Sequence, residues 1–207
     1  MKRIPARGET TKGLDVSHYD ESIDFNQVKA AGFAFCSAKC TEGVSVIDRN
    51  YKTNKARARV AGLLFGAYHF FRPAQDPVAQ ANHFLSHADI QPGDMIPMLD
   101  WEVMVDRHAD ISRAQTFLDL VEKRIGKKMI IYGGSSILND YALPASFKDY
   151  PLWVANYGVT APAVPGPWTF WSFWQYSDKG SVPGIPAANE DMDVFNGPLE
   201  NVLKFKV

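Results

Sequence analysis

Apolar and polar residues alternate in blocks along the first two thirds of the chain. Short apolar runs, each typical of a buried strand, occupy residues 13–17, 33–39, 63–70, 96–102 and 128–134. Amphipathic segments follow most of these runs, and their start signals are Asp24, Asp48, Asp76 with Pro77, and Asp110 or Ser112. A short helix is predicted over residues 135–142. The order helix, Ala-Gly, strand occurs twice, in VKAAGFAFCSAK and ARVAGLLFGAYHF. Alternating strands and helices of this kind predict a parallel sheet.

The pattern changes after Pro144, where proline and glycine are frequent and no long amphipathic helix remains. Three more strands are predicted, over residues 151–158, 168–177 and 190–197. The chain therefore has eight predicted strands and about five helices. The simplest α/β architecture is an irregular TIM-like β/α barrel whose last strands lack covering helices. The alternative is an open doubly wound sheet, which is less favoured because no glycine-rich phosphate loop follows a strand.

Composition limits the choice of class. The chain has 207 residues, 46% of them hydrophobic, and a net charge of −1. We expect a flexible N-terminal segment over residues 1–11, followed by a single domain over residues 12–207. The near-neutral charge argues against nucleic acid as a partner, and no apolar run approaches the roughly 18 residues that span a bilayer. The first residues lack the apolar core of a signal peptide, so a secreted role would need another export route or a signal removed beforehand.

The chain has two cysteines, Cys36 and Cys40, in one predicted strand. Four residues along a strand span roughly 13 Å, beyond the reach of a disulfide. We therefore expect two free thiols that fill space in the core or at its rim. With no disulfide and no sign of an oligomer in the sequence, a monomer is expected.

The segment MIPMLDWE, residues 95–102, holds the candidate chemistry. If it is a strand, Asp100 and Glu102 point to the same side, with Cα atoms roughly 7 Å apart. Two buried acids are costly without partners. One proton donor beside one anion is also the equipment for cleaving a glycosidic bond. The alternative is a strand end that reaches solvent, where acids carry no cost.

Other polar and aromatic residues fall on the predicted strands in a way that a barrel would bring together. Active sites of β/α barrels lie at the carboxyl ends of the strands. Barrel closure makes the first and last strands neighbours, so Asp15 and Asp193 are expected to face each other. A cluster of acids raises the pKa of at least one member, as a general acid requires. The aromatic and amide side chains expected at the same rim are Tyr68, Phe70, Tyr132, Trp153 and Gln175.

Eight ordered motifs together resemble the glycoside hydrolase family 25 lysozymes, the Chalaropsis-type muramidases. They cover roughly residues 12–197, and they are GLDVSHYD, KCTEG, FGAYHFFRP, MLDWE, IIYGG, LWVANYG, FWQYS and DMDVFNG. The resemblance implies an eight-stranded β/α barrel with five helices and a groove across its top. It implies hydrolysis of the β-1,4 bond between N-acetylmuramic acid and N-acetylglucosamine in peptidoglycan, without a metal or other cofactor. It also implies action on the cell wall.

The resemblance also implies roles for individual residues. Glu102 matches the proton donor and Asp100 its partner, while Asp15 and Asp193 match the acids of the first and last motifs. The groove-lining positions of the family match Tyr68, Tyr132, Trp153 and Gln175. Cys40 stands where the family commonly has alanine or threonine. Asp191 competes with Asp193 for the last acid, and Asp193 is preferred because VFNG follows it.

The expected mechanism has Glu102 protonate the glycosidic oxygen and then deprotonate water. Either a carboxylate or the acetamido group of the substrate, oriented by Asp100, attacks the sugar carbon. Both routes predict retention of configuration.

Two rival functions are open. One is a metal-dependent hydrolase, because His83 and His87 lie four residues apart on a predicted helix, a spacing that can bind zinc. Against it, no glutamate follows the first histidine, and the helix is expected outside the barrel. His18 and His69 show no recognisable ligand spacing. The other rival is a glycan-binding module that kept the groove and lost the chemistry. All four acid positions are filled, which favours the enzyme.

Overall fold

Eight strands close into a barrel in the computed structural model, which describes residues 1–186 and 189–207. In chain order the barrel strands β1 to β8 are Thr11–Val16, Phe35–Glu42, Leu64–Phe70, Met98–Asp100, Ile130–Gly134, Leu152–Ala155, Phe173–Gly180 and Glu190–Phe195. Each strand pairs with the next, and β8 pairs with β1 to close the ring. This confirms the predicted irregular β/α barrel and rules out the open doubly wound sheet.

The last strand differs from the parallel pattern. β1 to β7 run parallel to one another, whereas β8 is antiparallel to both of its neighbours, β7 and β1. A parallel connection needs a crossover of about a dozen residues or more, usually helical. β7 ends at Gly180 and β8 begins at Glu190, so too few residues separate them for such a crossover, and the two strands pair antiparallel. The barrel is therefore mixed.

Helices pack around the outside of the barrel. The part of the chain that the structure describes contains six: α1 Phe25–Ala30, α2 Tyr51–Val60, α3 Pro77–Ala88, α4 Arg107–Ile125, α5 Ser135–Asp140 and α6 Leu199–Val202. The first five are the expected ones, and the four-residue α6 was not predicted. Short 3-10 helices lie at His18–Asp20 and Ala145–Asp149.

The helix start signals show where local prediction succeeds and where it fails. Asp76 caps α3 as predicted, because its Oδ1 accepts the backbone N–H groups of Val78 and Ala79 at 2.8 and 2.9 Å. The predicted start of α4 at Asp110 or Ser112 is wrong. Asp106 caps this helix, and Asp110 instead is buried in its first turn.

The fourth strand is shorter than predicted. β4 ends at Asp100, and Glu102 lies beyond it. The backbone N–H of Trp101 still donates to the carbonyl of Tyr132 at 2.9 Å, so the chain leaves the sheet just after that bond. The position of Glu102 is thus set by the segment after β4 rather than by strand alternation.

Alternation along the strands divides the core into two layers. Inward-facing residues fill the lower barrel with rings and large aliphatic side chains, among them Phe35, Ile130, Phe173 and Phe195. Outward-facing residues pack beneath the helices. Cys36 and Cys40 lie on this outer face of β2, and both are buried free thiols, as expected.

The first residues are attached to the barrel although polarity predicted a loose segment. Lys2–Arg3 pairs with Ala163–Val164 as a short antiparallel ladder. The indole N–H of Trp171 donates to the carbonyl of Ile4 at 2.7 Å. In the described ranges no helix has the length and apolar character needed to cross a bilayer.

Candidate active site

The structure brings four predicted acids to the same mouth of the barrel. Asp15 on β1, Asp100 at the end of β4 and Asp193 on β8 are buried, whereas Glu102 is exposed to solvent. Burial raises the pKa values of Asp100 and Asp193. The charges of Glu102 and Asp15 add to the rise at Asp100, and the charge of Asp15 adds to the rise at Asp193. The mouth is therefore a cleft in which several carboxyl groups resist simultaneous ionisation.

Asp100 and Glu102 form the pair at the end of β4. Burial raises the pKa of Asp100 well above its usual range, and the charge of Glu102 adds to this effect. Its Oδ1 has no hydrogen-bond partner within residues 1–186 and 189–207. Partial desolvation in the cleft also raises the pKa of Glu102, although the residue is exposed to solvent, while the hydroxyl of Tyr132 and the ammonium of Lys39 oppose the rise.

Asp15 and Asp193 form a second pair across the β1–β8 seam. Burial raises the pKa of Asp15 to about 6 and that of Asp193 well above its usual range. The charge of Asp15 adds to the rise in the pKa of Asp193, so the two carboxyl groups resist simultaneous ionisation. The indole N–H of Trp153 donates to Oδ1 of Asp193 at 2.8 Å and holds it in place.

Gln175 connects this pair to two tyrosines. Its Nε2 donates to Oδ2 of Asp15 at 2.7 Å. Its Oε1 accepts the hydroxyl of Tyr132 at 2.8 Å and also that of Tyr157. The amide is fully buried, so these bonds fix the position of Asp15 from the side of β7.

The two aromatic residues predicted on β3 lie in different surroundings. Tyr68 is buried between Asp15 and Asp100, whose charges help to raise the pKa of its hydroxyl. Phe70 is half-buried, and its ring lies under two cations, with Lys39 Nζ 4.9 Å and Arg72 Cζ 4.6 Å from the ring centroid. Phe70 therefore supports charged groups at the rim.

Lys39 and Tyr157 lie at the mouth although the sequence patterns did not indicate them, and Asp191 lies there beside the preferred Asp193. Lys39 is buried and faces inward, and its signal was available in the alternation Phe35, Ser37, Lys39 that runs into KCTEG. Asp191 lies two residues before Asp193 on β8, where burial raises its pKa to about 8 and the charge of Asp15 adds to the rise. Tyr157 had no signal of its own beyond the motif LWVANYG.

The histidine pair considered for zinc lies on α3, outside the barrel. His83 hydrogen-bonds the carbonyl of Val46 at 3.0 Å, and His87 bonds the carbonyl of His83 at 2.8 Å. Both rings are thereby occupied by backbone contacts. In the described parts of the chain no three or more His, Cys, Asp or Glu side chains come together in an arrangement suited to a metal ion.

A family model for the glycosyl hydrolases of family 25 matches residues 14–185. The chain belongs to glycosyl hydrolase family 25. It is therefore a glycoside hydrolase, and the family supports peptidoglycan hydrolysis as its general activity.

Individual relatives agree with this assignment. An uncharacterized protein YegX of Escherichia coli O6:H1 is 38% identical, over 98% of this chain and 75% of its own length. Lysozyme M1 of Streptomyces globisporus is 33% identical, over 96% of this chain and 72% of its own. The bacterial lysozyme structure from Streptomyces coelicolor superposes with a TM-score of 0.89 at 32% identity, covering 94% of this chain and 96% of that one.

Proposed function

We propose that this family 25 hydrolase is an N-acetylmuramidase, which cleaves the β-1,4 bond between N-acetylmuramic acid and N-acetylglucosamine with Glu102 as general acid and base. Residues 12–207 form its single catalytic domain, which acts as a monomer on the cell wall. The observation that carries the proposal is the Asp100–Glu102 pair, in which one carboxyl is buried and the other faces the cleft.

The pair can supply one proton and one negative charge. Burial raises both pKa values, and the charge of Glu102 adds to the rise at Asp100. Two such groups release their protons in separate steps that belong to the pair. Between these steps one carboxyl is neutral and the other is ionised, which is the state that glycoside cleavage requires. In the free protein, enclosure favours the neutral form of Asp100.

Substrate binding moves the proton to the group that uses it. A sugar ring over Glu102 removes water from its carboxyl and stabilises the neutral form. The acetamido N–H of the substrate donates to Asp100 and stabilises the charged form. Glu102 then protonates the glycosidic oxygen as the bond to the sugar carbon breaks, and later accepts a proton from the incoming water.

The negative charge beside the sugar stabilises the positive charge that develops on it. Asp100 acts either directly or by orienting the acetamido oxygen, which then bonds to the sugar carbon. Either intermediate is opened by water from the opposite face, so the configuration is retained. Proton NMR of the first products is expected to show the β-anomer before mutarotation. An α-anomer as first product would contradict this mechanism.

The remaining groups at the mouth hold the cleft and contact the glycan. Gln175 holds Asp15 and the indole N–H of Trp153 holds Asp193, so both acids keep fixed positions in the floor of the cleft. We expect Tyr68, Phe70 and Tyr132 to form the cleft wall that faces the sugars, whereas Trp153 is fully buried and supports the cleft through its bond to Asp193.

Product analysis on purified peptidoglycan tests the proposal. The digest is reduced and analysed by mass spectrometry for wild type, Glu102→Gln and the matched control Glu200→Gln, whose side chain is exposed on α6. Reduced muramic acid ends are expected from wild type and Glu200→Gln, and a rate about 10² to 10⁴ lower from Glu102→Gln.

Other outcomes have definite meanings. Reduced glucosamine ends would keep the glycosidase and move the cleaved bond. Full activity of Glu102→Gln would remove Glu102 from its role. Binding to the glycan without products, for wild type as well, would favour a glycan-binding module.

A further inference from the structure

Two cations share one carboxylate beside the catalytic pair. Lys39 Nζ lies 2.6 Å from Oε2 of Glu42, and Arg72 donates from Nε and Nη2 to Oε1 of Glu42 at 2.9 and 2.5 Å. These contacts lower the pKa of Glu42 despite its partial burial, so it stays ionised. One carboxylate balances only one of the two cations. The trio therefore leaves one positive charge uncompensated at the mouth.

Lys39 is the more enclosed of the two cations. Its side chain is 10% exposed, compared with 41% for Arg72. The ring of Phe70 lies against both cations. Phe70 pairs with Glu42 on one side and with Asp100 on the other. The trio and the catalytic pair are thus neighbours across three adjacent strands.

The ammonium of Lys39 acts on both carboxyls of the pair. It lowers the pKa of Asp100 and that of Glu102, against the effect of burial. Asp15 from β1 and Glu42 from β2 act in the opposite direction on Asp100. The hydroxyls of Tyr68 and Tyr132 face the pair from β3 and β5, and these are neutral at the pH of interest.

We propose that Lys39 is a positioning residue for catalysis, whose ammonium keeps one carboxyl of the Asp100–Glu102 pair ionised so that the pair holds one proton and not two. The inference rests on the proposed function. Burial and the surrounding acids favour two protons, which would leave an acid and no anion to stabilise the sugar cation. Lys39 offsets them with a charge that solvent does not screen.

The test is the pH dependence of kcat/KM for Lys39→Met, which keeps length and removes charge. Both limbs of the profile are expected to move to higher pH by about 1 unit or more, because an opposite charge nearby shifts a carboxyl by about 1 to 3 units. The variant then loses activity on the acidic side and keeps it on the alkaline side. Damage to packing alone would lower the profile without moving it.

Two further variants serve as controls. Lys39→Arg keeps the charge and is expected to return both limbs to within about 0.3 unit of wild type. Arg72→Met removes an equal charge from the same carboxylate and the same Phe70 ring. It is expected to move the limbs much less, because that charge lies nearer to solvent.

A direct titration separates this inference from the proposed function. Carboxyl ¹³C NMR of wild type and Lys39→Met follows Asp100 and Glu102 without any substrate, and upward displacement of both midpoints is expected. Unmoved midpoints would overturn the inference even if the protein is an active muramidase. An inactive wild type with displaced midpoints would overturn the muramidase proposal and leave the electrostatic role standing. If Lys39→Met does not fold, Lys39→Gln replaces it in both measurements.

Discussion

The lower and upper halves of the barrel interior use their inward-facing positions in opposite ways. The lower aromatic cluster, defined as Phe35, Phe173, Phe195 and Phe205, packs ring against ring with centroids 5.1 to 5.3 Å apart. The upper acid cluster, defined as Asp15, Asp100, Glu102, Asp191 and Asp193, gathers groups of like charge with raised pKa values. On β8, the strand that contributes to both clusters, Phe195 lies two residues from Asp193 and four from Asp191.

The difference shows how the fold tolerates its site. Buried rings contribute free energy through area and packing, whereas buried acids with incomplete partners cost free energy. The lower aromatic cluster and the helical layer outside the barrel offset that cost. We therefore expect substitutions in the lower aromatic cluster to change stability and substitutions in the upper acid cluster to change catalysis.

The largest effect is expected in the lower half. Phe35→Ala removes a fully buried ring that contacts Trp153 and Phe173. The free energy of unfolding is expected to fall by about 3 to 5 kcal/mol, as measured by urea denaturation. Below the unfolding temperature, kcat per folded molecule should stay within about threefold of wild type, since Phe35 lies two residues before Ser37, the β2 residue that pairs with Asp15.

Phe170→Ala is the matched control, because its ring is 41% exposed and should cost no more than about 1 kcal/mol. A large loss of kcat in folded Phe35→Ala would show that the halves are not separable.

The second effect concerns the upper acid cluster and pH. Burial raises the pKa of Asp15 to about 6 and of Asp191 to about 8, and Glu190 next to the cluster is raised to about 7. The folded state therefore binds protons more tightly than the unfolded state, whose carboxyls titrate near pH 4. The stability that these groups contribute is present below about pH 4 and is lost as pH rises to about 8.

Asp191→Asn should remove part of that slope. The gain in unfolding free energy over wild type is expected to be about 1 kcal/mol or more at pH 8 and close to zero at pH 4.5. Asp149→Asn, at an exposed position in a 3-10 helix, controls for the loss of one negative charge. A wild-type stability that rises between pH 4.5 and 8 would contradict the assignment of raised pKa values.

Much of this architecture could be predicted because it depends on residues that are close together in the sequence. Strand alternation, the Asp76-Pro77 helix start and the ordered motifs each depend on neighbours in sequence, and they predicted the barrel and its family. The start of α4 was mispredicted by a few residues, because Asp106 and Asp110 are both good caps and tertiary burial of Asp110 decides between them.

The rest depends on contacts between distant segments. The direction of β8 follows from the short connection before it, and the place of Glu102 follows from the chain's departure from the sheet after Asp100. Lys39 and Glu42 lie on one strand, and their charges alone would balance. A surplus positive charge arises because Arg72, which follows a different strand, also binds Glu42. Periodicity along one strand carries no information about such charge balance between strands.

The smallest effect is expected at Trp153, which belongs to both halves. Its ring stacks on Phe173 at 4.7 Å, and its N–H donates to Asp193. Trp153→Phe keeps a ring and removes the donor, so the free energy of unfolding should fall by about 1 to 2 kcal/mol. The control is Trp168→Phe, which removes a similar bond, 2.8 Å long, to the carbonyl of Tyr150 outside the barrel.

Both variants should lose similar stability in thermal unfolding. Only Trp153→Phe should also lower kcat, because Asp193 in the acid cluster loses the bond that fixes its position. Equal kcat in the two variants would mean that the bond from Trp153 serves stability alone, and the boundary between the halves would then lie above Asp193.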